Sequence, residues 1–111
     1  MKIWQKGFQI AIKSYNLTKT FPNEEKFNLV SQINKCGVSI PSNIAEGSSR
    51  KSDKDYTRFL EISLGSTFEM ETQLMIAEAI KMGNQALVHE IIRELDEEQK
   101  TLMAFMNKIK T

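Results

Sequence analysis

Apolar residues recur every three or four positions along almost the whole chain, the spacing that places them on one face of an α-helix. Polar and helix-breaking residues interrupt this pattern at Phe21–Pro22, at 47–52 and at Gly83–Asn84. No segment alternates between apolar and polar residues in the manner of a β-strand. The pattern therefore predicts four helices, at about residues 2–20, 24–46, 53–82 and 85–110.

Helices joined by connectors this short pack most simply as neighbours that run in opposite directions. The sequence therefore predicts an all-α fold, an antiparallel up-down-up-down four-helix bundle. Because 111 residues suffice for one hydrophobic core but not for two, we expect a single domain over residues 1–111. Helix N-caps are predicted at Asn23, Ser52 and Asn84, whose side chains can accept hydrogen bonds from free backbone N–H groups.

The segment Ile40–Gly47 breaks helix rules inside a helical pattern. Pro41 removes a backbone donor and costs roughly 3 kcal/mol in a helix interior. We expect Pro41 to bend the second helix and Ser42 or a neighbouring hydroxyl to satisfy the carbonyl that it leaves free. Gly47, a common residue at helix ends, is expected to stop the helix.

Apolar residues occupy more than one face of the first and third helices. The line expected to face the core on the first helix consists of Trp4, Phe8, Ala11 and Tyr15. The remaining apolar residues either enlarge the core and stray onto the surface or are buried against other subunits. We favour subunit contacts, because large exposed apolar patches are unusual on monomers. The predicted interface of this homo-oligomer comprises Ile3, Ile10, Leu17, Ile62, Ile76 and Ile80.

Composition and charge narrow the class of protein. Apolar residues make up 41% of the chain and charged residues 26%, the balance of an ordinary soluble domain. No apolar run reaches the roughly 18 residues needed to cross a membrane, so no membrane association is expected. Cys36 is the only cysteine, which excludes an internal disulfide, and we expect a cytoplasmic protein.

Charge is distributed unevenly along the chain. Residues 1–60 hold ten basic and five acidic side chains, whereas residues 61–111 hold five basic and nine acidic ones. Basic residues and Ser48, Ser49 and Ser52 gather around the predicted second connector, where such groups can bind phosphate oxygens. An ordinary solvated loop is the alternative. The candidate nucleic-acid-binding residues are Lys35, Arg50, Lys51, Lys54 and Arg58.

The sequence carries no recognisable catalytic, cofactor or metal site. His89 is the only histidine, and no serine or cysteine nucleophile lies beside it. A di-metal bundle requires Glu-x-x-His on two helices, but Ala86 stands where the glutamate would precede His89. There is also no glycine-rich phosphate loop. We therefore expect a protein that is not an enzyme and that uses no cofactor or metal.

Several motifs closely resemble the signature of the four-helix-bundle proteins encoded in bacterial 23S rRNA intervening sequences. They are SQI at 31–33, VSIPSNIAEG at 38–47, Arg50, RFL at 58–60, LGS at 64–66 and EMETQL at 69–74. The resemblance covers nearly the whole chain and implies a four-helix bundle that forms a homopentameric ring. A similar bundle is the accessory protein of diversity-generating retroelements, in which a basic pentameric barrel binds nucleic acid and the reverse transcriptase.

The resemblance also assigns residues by motif. It implies a structural role for Pro41, Ser42, Asn43, Glu46, Gly47, Glu69 and Glu71. Asn43 and the three glutamates are interpreted as an internal polar network that pairs with Arg50. The basic positions that match are Lys35, Arg50 and Arg58, but relatives often carry a second basic residue where this chain has Asn34. This departure weakens the case for nucleic-acid binding.

Two hypotheses about function remain open. In the first, the oligomer binds nucleic acid, RNA above all, through phosphate contacts at the basic connector. In the second, the ring is an interaction scaffold for a protein partner and the basic residues are incidental. A partner captured after nuclease treatment would favour the scaffold, whereas binding that weakens steeply with salt would favour nucleic acid.

Overall fold

The computed structural model describes residues 1–110, apart from the side chain of Lys110, and it confirms the predicted all-α four-helix bundle. The helices are α1 (Lys2–Thr18), α2 (Leu29–Ser48), α3 (Asp53–Ala79) and α4 (Gln85–Lys110). Each packs against its neighbours in the chain, and α1 also packs against α4, so that α1 and α3 lie diagonally across the bundle. The bundle measures 44 × 22 × 18 Å. None of the described helices is long and apolar enough to cross a membrane.

Local signals place two of the three connectors as predicted. The Ser52 hydroxyl accepts a hydrogen bond from the Asp55 N–H at 3.1 Å and begins α3. Gly83 adopts a φ of +77°, and the Asn84 side chain then caps α4 by accepting from the Leu87 N–H at 3.1 Å. Left-handed backbone of this kind suits glycine, because glycine has no Cβ to clash with its carbonyl.

The start of the second helix differs from the prediction. Asn23–Glu25 form only one 3₁₀ turn, and the regular α-helix begins at Leu29. Asn23 is not its N-cap; instead a Glu25 carboxylate oxygen accepts from the Leu29 N–H at 3.4 Å. Phe27, which continued the apolar spacing of this helix in the sequence, is 85% exposed.

The faces of α1 are the reverse of those predicted, except that Ala11 is buried as expected. Ile3, Ile10 and Leu17, predicted to contact other subunits, are at most 3% exposed and belong to the chain's own core. That interface prediction was therefore wrong for these three residues. Trp4 and Phe8, predicted to be core residues, are 37% and 47% exposed, and Tyr15 is also exposed.

Small residues explain why α1 turns this way. A Cβ added at Gly37 of α2 would lie 2.7 Å from the Ser14 hydroxyl and 3.5 Å from the Ala11 Cα. A Cβ at Gly7 would lie 3.0 Å from the Ile40 side chain. The backbones of α1 and α2 therefore approach closely along this small-residue line. The flanking isoleucines enter the core, and the larger aromatic rings stay outside.

The other three helices supply most of the centre of the core. Residues of α3 and α4 with helical spacing form the fully buried centre together with Ile33, Ile40 and Ile44 of α2. On α3 and α4 these are Leu60, Met70, Leu74, Ala77, Val88, Ile91, Leu95 and Leu102.

Pro41 and Gly47 serve packing inside α2. The helix continues through Pro41, which is buried opposite Gly7, and the Ser63 hydroxyl of α3 donates to the adjacent Ile40 carbonyl at 2.9 Å. Gly47 does not stop the helix, because it lies within the last turn. A Cβ there would lie 2.8 Å from the Phe59 Cβ and 2.9 Å from the Tyr56 ring. Its lack of a side chain is what lets α3 approach.

Candidate nucleic-acid interface

The antiparallel topology brings three parts of the chain to one end of the bundle: the start of α1, the α2–α3 connector and the end of α4. Tyr56 marks this convergence, because its hydroxyl lies 3.6 Å from the Met1 sulfur and its ring packs edge-on against Phe105, 5.7 Å between centroids. Exposed basic side chains gather here. We call this surface the basic end, defined by Lys2, Arg50, Lys51, Lys54, Arg58 and Lys108.

Acidic neighbours share the basic end. A groove of about 590 Å³ is lined by Lys54 and Arg58 together with Asp53, Asp55 and Glu61. None of these acidic residues forms an ion pair with a cation of the basic end within the described chain. Among the described residues, no carboxylate lies within ion-pair distance of Lys51, Lys54 or Arg58. Their charges are therefore exposed to solvent and to any approaching ligand.

Arg50 is held more firmly than the other cations. Its guanidinium donates to the Glu46 carboxylate at 2.6 Å and lies over the Phe59 ring, 4.7 Å from the centroid. The Arg58 guanidinium lies 4.9 Å from the same centroid. Phe59 is only 9% exposed, so it forms a fixed platform on which both guanidiniums pack.

The serine hydroxyls near the connector are already used by the backbone. Ser48 and Ser49 donate to the carbonyls of Ala45 and Glu46, each at 2.7 Å, and Ser52 caps α3. These bonds fix the end of α2 and the start of α3. The phosphate-binding capacity of the connector therefore lies in its lysine and arginine side chains.

Lys35 does not join the other candidate residues. It lies thirteen residues before the last residue of α2, which corresponds to about 20 Å along the helix at 1.5 Å per residue. It lines a separate polar groove between α2 and α3 with Cys36 and Glu69, where burial, and then Glu69, raise the pKa of the Cys36 thiol to about 11. Its neighbour Asn34 accepts a hydrogen bond from Thr18 of α1 at 3.1 Å, so this position contributes to helix packing.

The polar residues that match the family motif do not form the single internal network that was predicted. Asn43 donates to Ser39 within α2, to both its carbonyl and its hydroxyl at 2.9 Å. Glu71 accepts a hydrogen bond from Gln99 of α4 at 3.2 Å. Glu69 is exposed and lines the groove between α2 and α3 that also contains Lys35. Of this set, only Glu46 pairs with Arg50. The polar residues therefore act separately, Asn43 within α2, Glu46 on Arg50 and Glu71 between α3 and α4, and Ser42 is exposed.

The lysines of α1 belong to a different electrostatic system. Lys6 pairs with Glu97 of α4 at 3.5 Å, and Lys13 pairs with Glu90 at 2.7 Å and with Glu94. The hydrogen bonds that Lys13 donates to Glu90 and Glu94 raise the pKa of Lys13, and the contact with Lys13 lowers the pKa of Glu90. These pairs join α1 to α4 and leave little free charge on that face.

An exposed aromatic groove between α1 and α2 was missed by sequence reasoning. Trp4 and Phe8 stack at 5.2 Å, and the groove of about 370 Å³ also includes Tyr15, Val38 and Pro41. We call this surface the aromatic face. The signal that pointed to it was the line Gly7, Ala11 and Ser14, whose small side chains mark the packed side of α1 and so leave the aromatic side outward.

A second apolar surface lies on α3, diagonally across the bundle. Ile62, Ile76 and Ile80, predicted as interface residues, are between 45% and 56% exposed. Phe68 and Met75 are exposed beside them. We call this surface the α3 face. It is available for a contact outside the chain, and its role as a subunit interface stays a prediction.

Comparison with known proteins agrees with this architecture. Residues 1–104 match the model of the 23S rRNA-intervening sequence protein family. A crystal structure of a protein of unknown function from the S23 ribosomal protein family of Bacteroides thetaiotaomicron superimposes with a TM-score of 0.86 at 28% identity. The alignment covers 94% of this chain and 97% of that chain. No match was found among curated proteins. The chain thus belongs to the 23S rRNA-intervening sequence protein family.

Proposed function

We propose that this protein is a non-catalytic, homo-oligomeric RNA-binding protein that contacts the phosphate backbone through its basic end. The observation that carries this proposal is the gathering of Arg50, Lys51, Lys54 and Arg58 with Lys2 at one end of the bundle, where Lys51, Lys54 and Arg58 have no carboxylate partner within the described chain. Phosphate contacts of this kind supply most of the affinity of sequence-independent nucleic-acid binding.

Assembly strengthens the proposal, because a net charge of +1 gives one chain little attraction for nucleic acid. The aromatic face and the α3 face lie on diagonally opposite helices, so a contact between them joins different surfaces of successive copies. Such a heterologous contact forms a ring when its rotation closes. A ring of five, the size implied by the family resemblance, would repeat the basic end five times and add avidity.

Fluorescence anisotropy of a labelled single-stranded RNA tests the proposal. The variant Arg50→Gln/Lys51→Gln/Lys54→Gln should bind at least tenfold more weakly than the wild type. Its slope of log Kd against log salt should fall by about 2, since each lost phosphate contact on a single strand contributes about 0.7. The matched control, Lys19→Gln/Lys26→Gln/Lys81→Gln, removes three cations from the opposite end and should retain most of the affinity.

Undetectable binding by the folded wild-type oligomer would overturn the proposal. An equal loss of RNA affinity in both triple variants would show that only the net charge matters, and not the basic end. If no binding is detected, the protein-interaction scaffold becomes the better account, with the exposed aromatic face as the surface to test.

A further inference from the structure

We propose that Glu46 occupies the place of a nucleic-acid phosphate in the free protein: its carboxylate holds Arg50 on the Phe59 ring until a phosphodiester group displaces it and binds between Arg50 and Arg58. This inference rests on the proposed function. It adds the chemical group that is bound, the place where it binds and the residue that competes for that place.

The geometry around Phe59 already resembles an anion site with its anion present. The guanidinium carbons of Arg50 and Arg58 lie 4.7 and 4.9 Å from the centroid of the buried Phe59 ring. The two carbons are therefore at most about 10 Å apart. Arg50 donates to a carboxylate oxygen at 2.6 Å, and Arg58 has no carboxylate partner within the described chain. One guanidinium is thus occupied by an internal anion, and the other is open.

Exchange of Glu46 for a phosphate costs little. The Arg50 and Glu46 side chains are 41% and 53% exposed, and exposed ion pairs of this kind contribute little net stability. Glu46 also lies in the last turn of α2, where the helix dipole disfavours a negative charge. A phosphodiester group presents two anionic oxygens in the planar geometry that a guanidinium binds bidentately.

The platform is fixed before any ligand arrives. Because Gly47 lets α3 approach α2, Phe59 is held beneath the connector at the junction of the two helices. The guanidiniums are therefore pre-oriented, so binding requires the movement of one glutamate side chain rather than a rearrangement of the backbone.

The test compares Glu46→Gln with a matched control, Asp96→Asn. Asp96 forms an i,i+4 pair with Lys100 on α4, its side chain is 55% exposed against 53% for Glu46, and its loss changes the net charge by the same amount. Glu46→Gln should bind labelled single-stranded RNA about two- to fivefold more tightly than the wild type, the range set by release of an exposed ion pair. Asp96→Asn should change the affinity by much less.

Unchanged or weaker binding by Glu46→Gln would overturn the inference, as would an equal gain in both variants. If no form binds RNA, the proposed function fails, and a titration with inorganic pyrophosphate decides the inference separately. The Arg50 side-chain N–H signal in an NMR spectrum should then shift, and at lower pyrophosphate concentration in Glu46→Gln. No shift in either protein would overturn the inference as well.

Discussion

Glu98 of α4 has an environment that conflicts with its charge. Its side chain is 1% exposed, and neither carboxylate oxygen has a hydrogen-bond partner within the described chain. It lies against Gly7, where an added Cβ would be 3.1 Å from the Glu98 Oε2. Burial raises the pKa of this carboxyl to about 8, although Lys6 nearby acts in the opposite direction. The acid is therefore protonated in the folded protein at neutral pH.

The pH dependence of stability follows from this shift. The folded protein holds the Glu98 proton up to about pH 8, whereas the unfolded chain releases it near its ordinary pKa of about 4.3. Because the folded state binds more protons over that window, this carboxyl makes stability fall as the pH rises from about 4.5 to 8. Urea unfolding should show a free energy of unfolding for Glu98→Gln that lacks this decline.

The exposed neighbour Glu97 provides the control for that measurement. Its carboxylate is 65% exposed and pairs with Lys6, so Glu97→Gln should keep the pH profile of the wild type. Parallel profiles for the wild type and Glu98→Gln would show that Glu98 is ionised in the fold. That result would contradict the account of its burial.

At the scale of single residues, the sequence predicted which residues are apolar enough for the core but not which side of α1 faces it. Both apolar lines of α1 have helical spacing, so periodicity could not decide between them. The line with the larger aromatic rings was chosen. The deciding factor was the close approach of α1 to α2 along Gly7, Ala11 and Ser14, which depends on a partner helix and cannot be seen in one helix alone. Lys35 was grouped with the connector because it precedes it in the sequence, although about 20 Å of helix separates the two.

The helices themselves were predictable because local signals and apolar spacing agree. Ser52, Gly83 and Asn84 all act where their chemistry suggested. The start of α2 was not predictable, because Glu25 rather than Asn23 accepts from the first N–H group of the helix, that of Leu29. Gly47 was interpreted as a helix stop, but its role is to let α3 approach α2.

Two glycines test this view of helix packing. Gly47→Ala would place a methyl group 2.8 Å from the Phe59 Cβ, and we expect it to lower the free energy of unfolding by about 1–3 kcal/mol. Gly65→Ala on α3 meets nothing within 4 Å and should raise it by about 0.4–1 kcal/mol through helix propensity. Urea denaturation checks both. Equal effects of the two substitutions would contradict the packing role of Gly47.

The whole molecule presents two apolar surfaces that one chain leaves exposed. The aromatic face and the α3 face differ in composition and lie on different helices, which favours contact between different surfaces of neighbouring copies. Interface residues on α3 had been predicted from the sequence, whereas those on α1 were assigned to the wrong line. The sequence did not reveal the aromatic face, because this face can be identified only when the core side of α1 is known.

Mixing two variants tests this arrangement. Phe8→Glu blocks the aromatic face and Ile76→Glu blocks the α3 face, so each alone should sediment as a monomer in analytical ultracentrifugation. Mixed together, they retain one intact contact and should form dimers but nothing larger. Thr101→Glu, an exposed position on α4, is the control and should sediment like the wild type. A monomeric wild type, or a mixture that stays monomeric, would contradict the heterologous contact.

The central claim is that assembly gathers the basic ends of several chains into one RNA-binding surface. The slope of log Kd against log salt for a labelled single-stranded RNA, measured on the wild type and on Phe8→Glu, tests it most directly. The six basic side chains of one copy's basic end supply a slope of at most about 4 in magnitude, at about 0.7 per phosphate contact. We predict a steeper slope for the wild type and one within that limit for the variant. Equal slopes, or binding that does not respond to salt, would contradict the account.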